Sequence, residues 1–156
     1  MMTWIKALFL PPTPSGPPHL LRAFRAQDLP LDPSISAHRP GEWRIDSKAA
    51  AIFPVHEIAP PPLGSSLLAF RAELRSSGRP PLAWLELSCR FDSDEPPLLA
   101  RGPQRSLPRK RVWEFHEVTL HLPGHLRPDL IRLNIATGGP GRIWFRNLKL
   151  LATNAK

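Results

Sequence analysis

Proline is the residue that most restricts how this chain can fold. The 156-residue sequence contains 21 prolines, far above the roughly 5% that is usual in proteins. Because proline lacks a backbone donor and ends helices, long α-helices are disfavoured. With 42% apolar residues, the chain can still bury a core of the size that one domain needs. A loop-rich β protein is therefore the expected fold.

The prolines also divide the chain into two parts. Eight of them lie within residues 1–40, and the run at 11–18 favours an extended, semi-rigid polyproline II conformation. We therefore predict a Pro-rich N-terminal arm over residues 1–41 and a β-sandwich domain over residues 42–156.

Apolar side chains within the arm need a place to dock. Residues 19–27 are predicted to form one short helical turn, with Leu20, Leu21 and Phe24 on one side. Apolar side chains near the N-terminus are costly to leave in water, so they are expected either to fold back on the sandwich or to insert into a partner or a bilayer interface. These docking residues are Trp4, Ile5, Leu8 and Phe9.

From residue 42 onward, apolar and polar residues alternate with a period of two. Such alternation is typical of strands that bury one face. Turn residues rich in Gly and Pro separate the segments, which favours a sandwich or a barrel. The predicted strands cover residues 42–46, 51–58, 66–76, 82–91, 112–122, 130–137 and 142–151.

The segments 66–76 and 82–91 are predicted to form an antiparallel hairpin that turns near Gly78 and Arg79. One register matches apolar to apolar and places opposite charges together, and a slip of one residue would destroy both matches. The inner pairs are Phe70 with Leu87, Ala72 with Leu85 and Leu74 with Ala83, and the outer pairs are Arg71 with Glu86 and Glu73 with Trp84.

The last strand changes its apolar parity midway, which predicts a β-bulge near Arg146 and Asn147. The segments at 70–75, 84–87, 127–134 and 141–148 together resemble the galactose-binding-like jelly-roll modules, a group that includes carbohydrate-binding modules. The resemblance covers residues 42–151 and implies a sandwich of about eight strands. Arg146 and Asn147 stand where many such modules carry two acids, and this departure weakens any inference about an ion or ligand held at that position. This architecture hosts many functions.

If the hairpin forms, its outer face collects an aromatic ring and several planar charged groups. A sugar needs apolar stacking and bidentate hydrogen bonds, whereas Trp and Arg are also frequent hot spots of protein interfaces. The third interpretation is a solvated face held by cross-strand ion pairs. The candidate face comprises Arg71, Glu73, Arg75, Trp84, Glu86, Arg90, Arg132 and Asn134.

The formal net charge of +8 favours an anionic partner, such as nucleic acid, an anionic lipid surface or an acidic protein. Five cations follow one another with no acid between them, in a candidate loop for such a partner; the alternative is a solvated loop. Few aromatic residues accompany them, so nucleic acid is not the expected partner. The loop residues are Arg101, Arg105, Arg109, Lys110 and Arg111.

No catalytic, cofactor or metal site is predicted. The sequence lacks a Gly-rich phosphate loop, a Gly-x-Ser-x-Gly motif and paired zinc-ligand spacing. His116 and His121 differ by five positions, so a strand directs them to opposite faces. The acids around Asp92 and Glu95 suit either a hard cation or an ordinary acidic turn, and the turn is favoured. Cys89 is expected to be a small buried hydrophobe.

The apolar run at residues 7–10 is too short for a signal-peptide core, which favours cytoplasmic residence. Of the two leading hypotheses, we favour a non-enzymatic accessory subunit that docks on a larger protein assembly. A bioenergetic or photosynthetic membrane complex would be such a host, with anionic lipid at its cytoplasmic face attracting the basic residues. The alternative is a carbohydrate-binding module that uses the aromatic and charged face.

Overall fold

The computed structural model describes residues 13–77, 82–107 and 112–155. In this part of the chain, eleven strands form two antiparallel sheets that pack face to face. The predicted all-β sandwich is therefore confirmed. The strands are β1 (His19–Ala23), β2 (Ser36–Ala37), β3 (Glu42–Ser47), β4 (Ala51–Ile58), β5 (Ser66–Ser77), β6 (Leu82–Phe91), β7 (Leu98–Arg101), β8 (Arg105–Ser106), β9 (Glu114–Leu122), β10 (Pro128–Thr137) and β11 (Gly141–Asn154).

Sheet 1 has the order β2-β3-β11-β5-β9, and β1 also pairs with β11. Sheet 2 has the order β4-β10-β6-β7, and β8 also pairs with β6. The seven strands predicted from the alternation are all present, with ends that differ by a few residues. The strands that the pattern missed are β1, β2, β7 and β8, which are too short to show a period. The described residues contain no helix able to cross a membrane.

The core lies between the two sheets and is built from the inward residues of the long strands. Phe70 of β5, Phe145 of β11, Leu87 of β6 and Leu133 of β10 are fully buried. Burying such a side chain contributes about 1.5–3 kcal/mol. Their polar sequence neighbours point outward, so each central strand supplies one residue in two to the core and the others to an outer face.

The predicted hairpin between β5 and β6 is wrong. Strand β5 pairs with β11 and β9, whereas β6 pairs with β10 and β7, so the chain passes from one sheet to the other between Ser77 and Leu82. The predicted turn residues Gly78 and Arg79 lie outside the described residues. Alternation makes the inward residues of both strands meet in the core whether the strands lie side by side or in opposite sheets. The inward residues were therefore predicted correctly, although the paired register was not.

The predicted helical turn at residues 19–27 is also wrong, because the chain there forms β1 along the second half of β11. The pairing continues past the strand, where the Phe24 amide donates to the carbonyl of Leu148 at 3.0 Å. The open edge of a long strand is a strong pairing partner that overrides a weak local helical preference. Leu21 and Phe24 pack on the core, whereas Leu20 is exposed.

The described part of the arm therefore lies against the sandwich from β1 to β2. Ile35 is buried in the core, and Ser36 and Ala37 pair with β3. The predicted docking residues of the N-terminus lie outside the described residues, so where they dock stays a prediction. They are Trp4, Ile5, Leu8 and Phe9.

The bulge predicted in the last strand is confirmed. The register between β11 and β5 shifts between Arg146 and Lys149, and Asn147 has a φ of 55°. Asparagine tolerates this left-handed conformation better than most residues. The bulge turns both Arg146 and Asn147 toward the outer face, where both side chains donate to Glu73.

Candidate binding face

The structure divides the predicted binding face between two opposite sides of the sandwich. Three residues (Arg71, Glu73 and Arg75) lie on β5 in sheet 1, and the other five lie on β6 and β10 in sheet 2. The single surface is therefore a wrong prediction, for the same reason as the hairpin. The five residues on sheet 2 are Trp84, Glu86, Arg90, Arg132 and Asn134.

On sheet 2, the aromatic and charged groups satisfy one another. The Trp84 indole N–H donates to Glu86 at 3.0 Å, and the Arg101 guanidinium lies 3.3 Å from the same carboxylate oxygen. Glu86 is only 2% exposed. Arg132 pairs with Glu57, and Arg90 lies 3.4 Å from Asp129. These pairs hold the face together. Of the five predicted residues, Asn134 keeps a buried side-chain oxygen, Oδ1, without a hydrogen-bond partner in the described chain.

The predicted basic loop is only partly described. Arg101 ends β7 and Arg105 begins β8, so these two residues belong to short strands at the edge of sheet 2. Each has an acid nearby, since Arg101 pairs with Glu86 and Arg105 lies 3.9 Å from Glu114. The remaining residues of the loop (Arg109, Lys110 and Arg111) lie outside the described residues.

The outer face of sheet 1 carries an alternating row of arginine and tryptophan. Trp144 on β11 lies between Arg44 on β3 and Arg75 on β5, and Trp113 immediately precedes β9. The Arg75 guanidinium carbon is 4.8 Å from the ring centroid of Trp113 and 5.0 Å from that of Trp144. The cation is therefore held between two indole rings, which attract it electrostatically.

A second row of charges runs beside the first. Arg146 lies over the Trp113 ring at 4.1 Å and contacts Glu42 at 3.6 Å and Glu73 at 3.1 Å. The hydrogen bond from Asn147, and next the one from Arg146, lower the pKa of Glu73 against the opposing effect of burial. Glu73 thus stays charged and ties the bulge of β11 to β5.

Between these rows lies a cleft of about 340 Å³, which we call the Trp–Arg cleft. Three of its polar atoms are buried and have no hydrogen-bond partner in the described chain: Trp144 Nε1, Arg75 Nε and Glu42 Oε2. Two are donors and one is an acceptor. The lining residues are His38, Arg39, Glu42, Arg75, Trp113, Trp144 and Arg146.

Of these lining residues, sequence reasoning selected only Arg75. In β11, Trp144 and Arg146 alternate with the buried Ile143 and Phe145, so their outward direction was readable from the period of two. Nothing in the local pattern indicates that Arg75 or Glu42 lies beside them, because strand adjacency is set by tertiary pairing.

The other residues considered as metal-binding or reactive groups lie outside the Trp–Arg cleft. The acids at 92–95 line an open hollow of about 620 Å³ with His125 and Arg127. No group of three or more potential metal ligands is found among the described residues. His116 is buried and His121 is exposed, as expected for opposite faces of β9. Cys89 is buried, and burial raises the pKa of its thiol to about 12, so it behaves as a small apolar side chain.

No known protein family matches the sequence, and no curated protein matches it either. Similarity appears at the level of structure. The xylan-binding domain CBM22-1 from Paenibacillus barcinonensis Xyn10C aligns with a TM-score of 0.55 and 7% identity, over 90% of this chain and 95% of that domain.

A viral protein is a second structural neighbour. The VP2 subviral particle of infectious bursal disease virus aligns with a TM-score of 0.61 and 11% identity, over 90% of this chain and 34% of that one. The Gx strain of the virus gives a TM-score of 0.60 and 10% identity, over 90% and 33%. The chain thus spans about a third of these viral chains. At such identities the likeness concerns the fold alone. The chain has a jelly-roll β-sandwich fold like that of carbohydrate-binding modules, which confirms the predicted resemblance.

Proposed function

We propose that this protein is a non-catalytic carbohydrate-binding module that holds a sugar in the Trp–Arg cleft of sheet 1. The observation that carries the proposal is the combination of two indole rings with unpaired hydrogen-bonding atoms in one cleft. A sugar ring presents an apolar face and a rim of hydroxyl groups, so it needs an aromatic wall and both donors and acceptors. Trp144 Nε1 and Arg75 Nε are the donors, and Glu42 Oε2 is the acceptor.

The aromatic surface continues beyond the cleft along the same outer face. Phe115, on the edge strand β9, is 57% exposed and lies opposite Glu73 in the register. A shallower hollow of about 220 Å³ lies beside it, lined also by Arg71 and Lys149. A chain of sugars longer than the cleft would therefore meet a second aromatic ring. The likeness to a xylan-binding domain supports a function of this class without naming the sugar.

A pair of tryptophan variants tests the proposal. In Trp144→Ala, we expect retention on immobilised polysaccharides, measured by affinity electrophoresis over a panel of neutral and acidic glycans, to fall roughly tenfold or more. Trp84→Ala is the matched control, because it removes the same ring from the outer face of sheet 2 and should leave retention unchanged. Equal losses in the two variants, or no retention of the intact protein on any glycan, would refute the proposal.

A second candidate function is docking on a larger protein assembly as an accessory subunit. The observation that favours it is the set of exposed apolar side chains on the outer face of sheet 2, namely Ile52, Leu82 and Leu99, which are 52%, 46% and 50% exposed. Exposed apolar groups of this kind are typical of interaction surfaces. A mild-detergent pull-down from membranes and cytosol, with Ile52→Ser/Leu99→Ser as the control, tests it. Recovery of the same proteins with both forms would count against this face.

A further inference from the structure

Arg75 and Arg146 are both cations of the cleft, but within the described chain only Arg146 of the two is paired with acids. Arg146 contacts the carboxylates of Glu42 and Glu73. Arg75 contacts two indole rings, and no acid in the described part of the chain forms an ion pair with it. Its Nε is buried without an acceptor, and so is Nε1 of the neighbouring Trp144. The centre of the cleft thus holds a positive charge and two donors that lack a negative partner.

The Arg75 guanidinium thus lacks a negatively charged partner in the described residues, and the two buried donors lack acceptors. Attraction to the indole faces offsets part of the desolvation of the guanidinium, but it supplies no hydrogen-bond acceptor. A buried donor without an acceptor loses the hydrogen bond that it makes with water in the unfolded chain. Three arginines and one glutamate line the cleft, so the surrounding charge is also positive. An anionic group that reached Arg75 would complete both the charge and the hydrogen bonds.

The chemistry of the free groups selects among anions. A guanidinium offers a planar fork that matches the two oxygens of a carboxylate. Because Arg146 is already shared between two acids, only one uncommitted guanidinium is offered at the centre of the cleft, which suits a single negative charge better than a phosphate with nearly two. Glu42 Oε2 remains as an acceptor for a hydroxyl group. The ligand therefore carries both a carboxylate and hydroxyl groups.

We propose that the Trp–Arg cleft selects acidic sugars. In this complex the carboxylate of a uronate binds Arg75 and Trp144 Nε1, and a hydroxyl group of the same ring donates a hydrogen bond to Glu42. This proposal rests on the sugar-binding function proposed above and names its substrate class. The unpaired atoms are covered in the free protein, so the ligand must displace a side chain. At Glu42 the side chain suited to move is Arg39, which is 77% exposed and lies a loose 4.0 Å from Glu42 Oε2.

The test uses matched pairs of ligands with the full chain. Trimers of galacturonate, glucuronate and mannuronate are each compared by titration calorimetry with their carboxyl-reduced, neutral counterparts. For at least one pair, we expect the uronate to bind roughly tenfold tighter than the neutral sugar, because its carboxylate makes charge-assisted hydrogen bonds. In Arg75→Gln this preference should disappear, whereas Arg90→Gln, which removes the same charge from the outer face of sheet 2, should keep it.

Arg75→Lys covers the case in which Arg75→Gln does not fold. It keeps the charge and loses the planar fork, so the preference should shrink severalfold while the melting temperature changes little. Equal binding of acidic and neutral trimers, abolished by Trp144→Ala, would overturn the acidic preference and leave sugar binding in place. Equal weakening by Arg75→Gln and Arg90→Gln would show general attraction to a polyanion and overturn it too. Binding of none of the sugars would overturn both proposals.

Discussion

The two outer faces of the sandwich contain the same kinds of residue and differ in how those residues are paired. On sheet 2, the Trp84 indole donates to a buried Glu86 that also binds Arg101. On sheet 1, the Trp144 indole and the Arg75 Nε have no acceptor in the described chain. A tryptophan flanked by arginine and glutamate is therefore not sufficient to indicate a binding site. What distinguishes the two tryptophans is whether the indole N–H already has an acceptor within the described chain; on sheet 2 the buried atom without a partner is Asn134 Oδ1 instead.

The largest expected effect is on the free energy of unfolding at acidic pH. It arises from buried histidines in both sheets and not from residues of the outer faces. His56 of sheet 2 is buried and stacked on Phe24 at 4.0 Å, and burial lowers its pKa from 6.5 to about 4. Between those values the unfolded chain binds a proton that the native protein does not. The contribution of neutral His56 to the free energy of unfolding is therefore fully present above about pH 6.5. It is lost as the pH falls toward 4, by up to about 1.4 kcal/mol per pH unit.

Burial lowers the pKa of His116 in sheet 1 as well, against the attraction of Glu114 at 2.9 Å, so it adds to the same dependence. Denaturant titrations between pH 7 and 4 measure it, and the slope should become shallower in His56→Phe. An unchanged slope in that variant would mean that His56 is charged in the native protein.

The next prediction compares a carboxylate on the outer face of sheet 2 with one on the outer face of sheet 1. Glu86→Ala should destabilise the protein by about 2 kcal/mol, because it removes the acceptor of Trp84 and the partner of Arg101. Glu42→Ala should cost about 1 kcal/mol or less, since its ion pairs with Arg39 and Arg146 are long, at 4.0 and 3.6 Å, and the Arg39 side chain is largely exposed. Chemical denaturation of both variants measures the difference. Equal losses would contradict the distinction between the faces.

The last prediction concerns the β-bulge at Arg146 and Asn147, which shapes the outer face of sheet 1. Asn147→Ala should destabilise the fold by about 1–2 kcal/mol, because alanine tolerates the left-handed backbone poorly and the bond to Glu73 is lost. Asn147→Gly, which keeps the backbone conformation available, should cost less. In both variants the pKa of Glu73 should rise, as its largest lowering influence is removed. NMR titration of Glu73 measures this, and a pKa identical to that of the wild type would count against the assigned bond.

Much of the fold was readable from the sequence. The alternation located the seven long strands and the inward residues, and the parity change in β11 located the bulge at Arg146 and Asn147. The short strands β1 and β7 were missed, because five or fewer residues do not establish a period and depend on the edge that they join. Of the residues that line the Trp–Arg cleft, the sequence identifies only Arg75 as a binding residue.

The sequence by itself determined which side chains face the core and which face out, because the direction of a side chain along a strand follows from the local backbone. Only the tertiary structure decided which strands lie side by side. It separated Arg75 from Trp84 and placed it beside Trp144, far away along the chain. The physical reason is that alternation is satisfied equally well by any neighbour with the same inward face, whereas a binding site depends on which outward groups become neighbours.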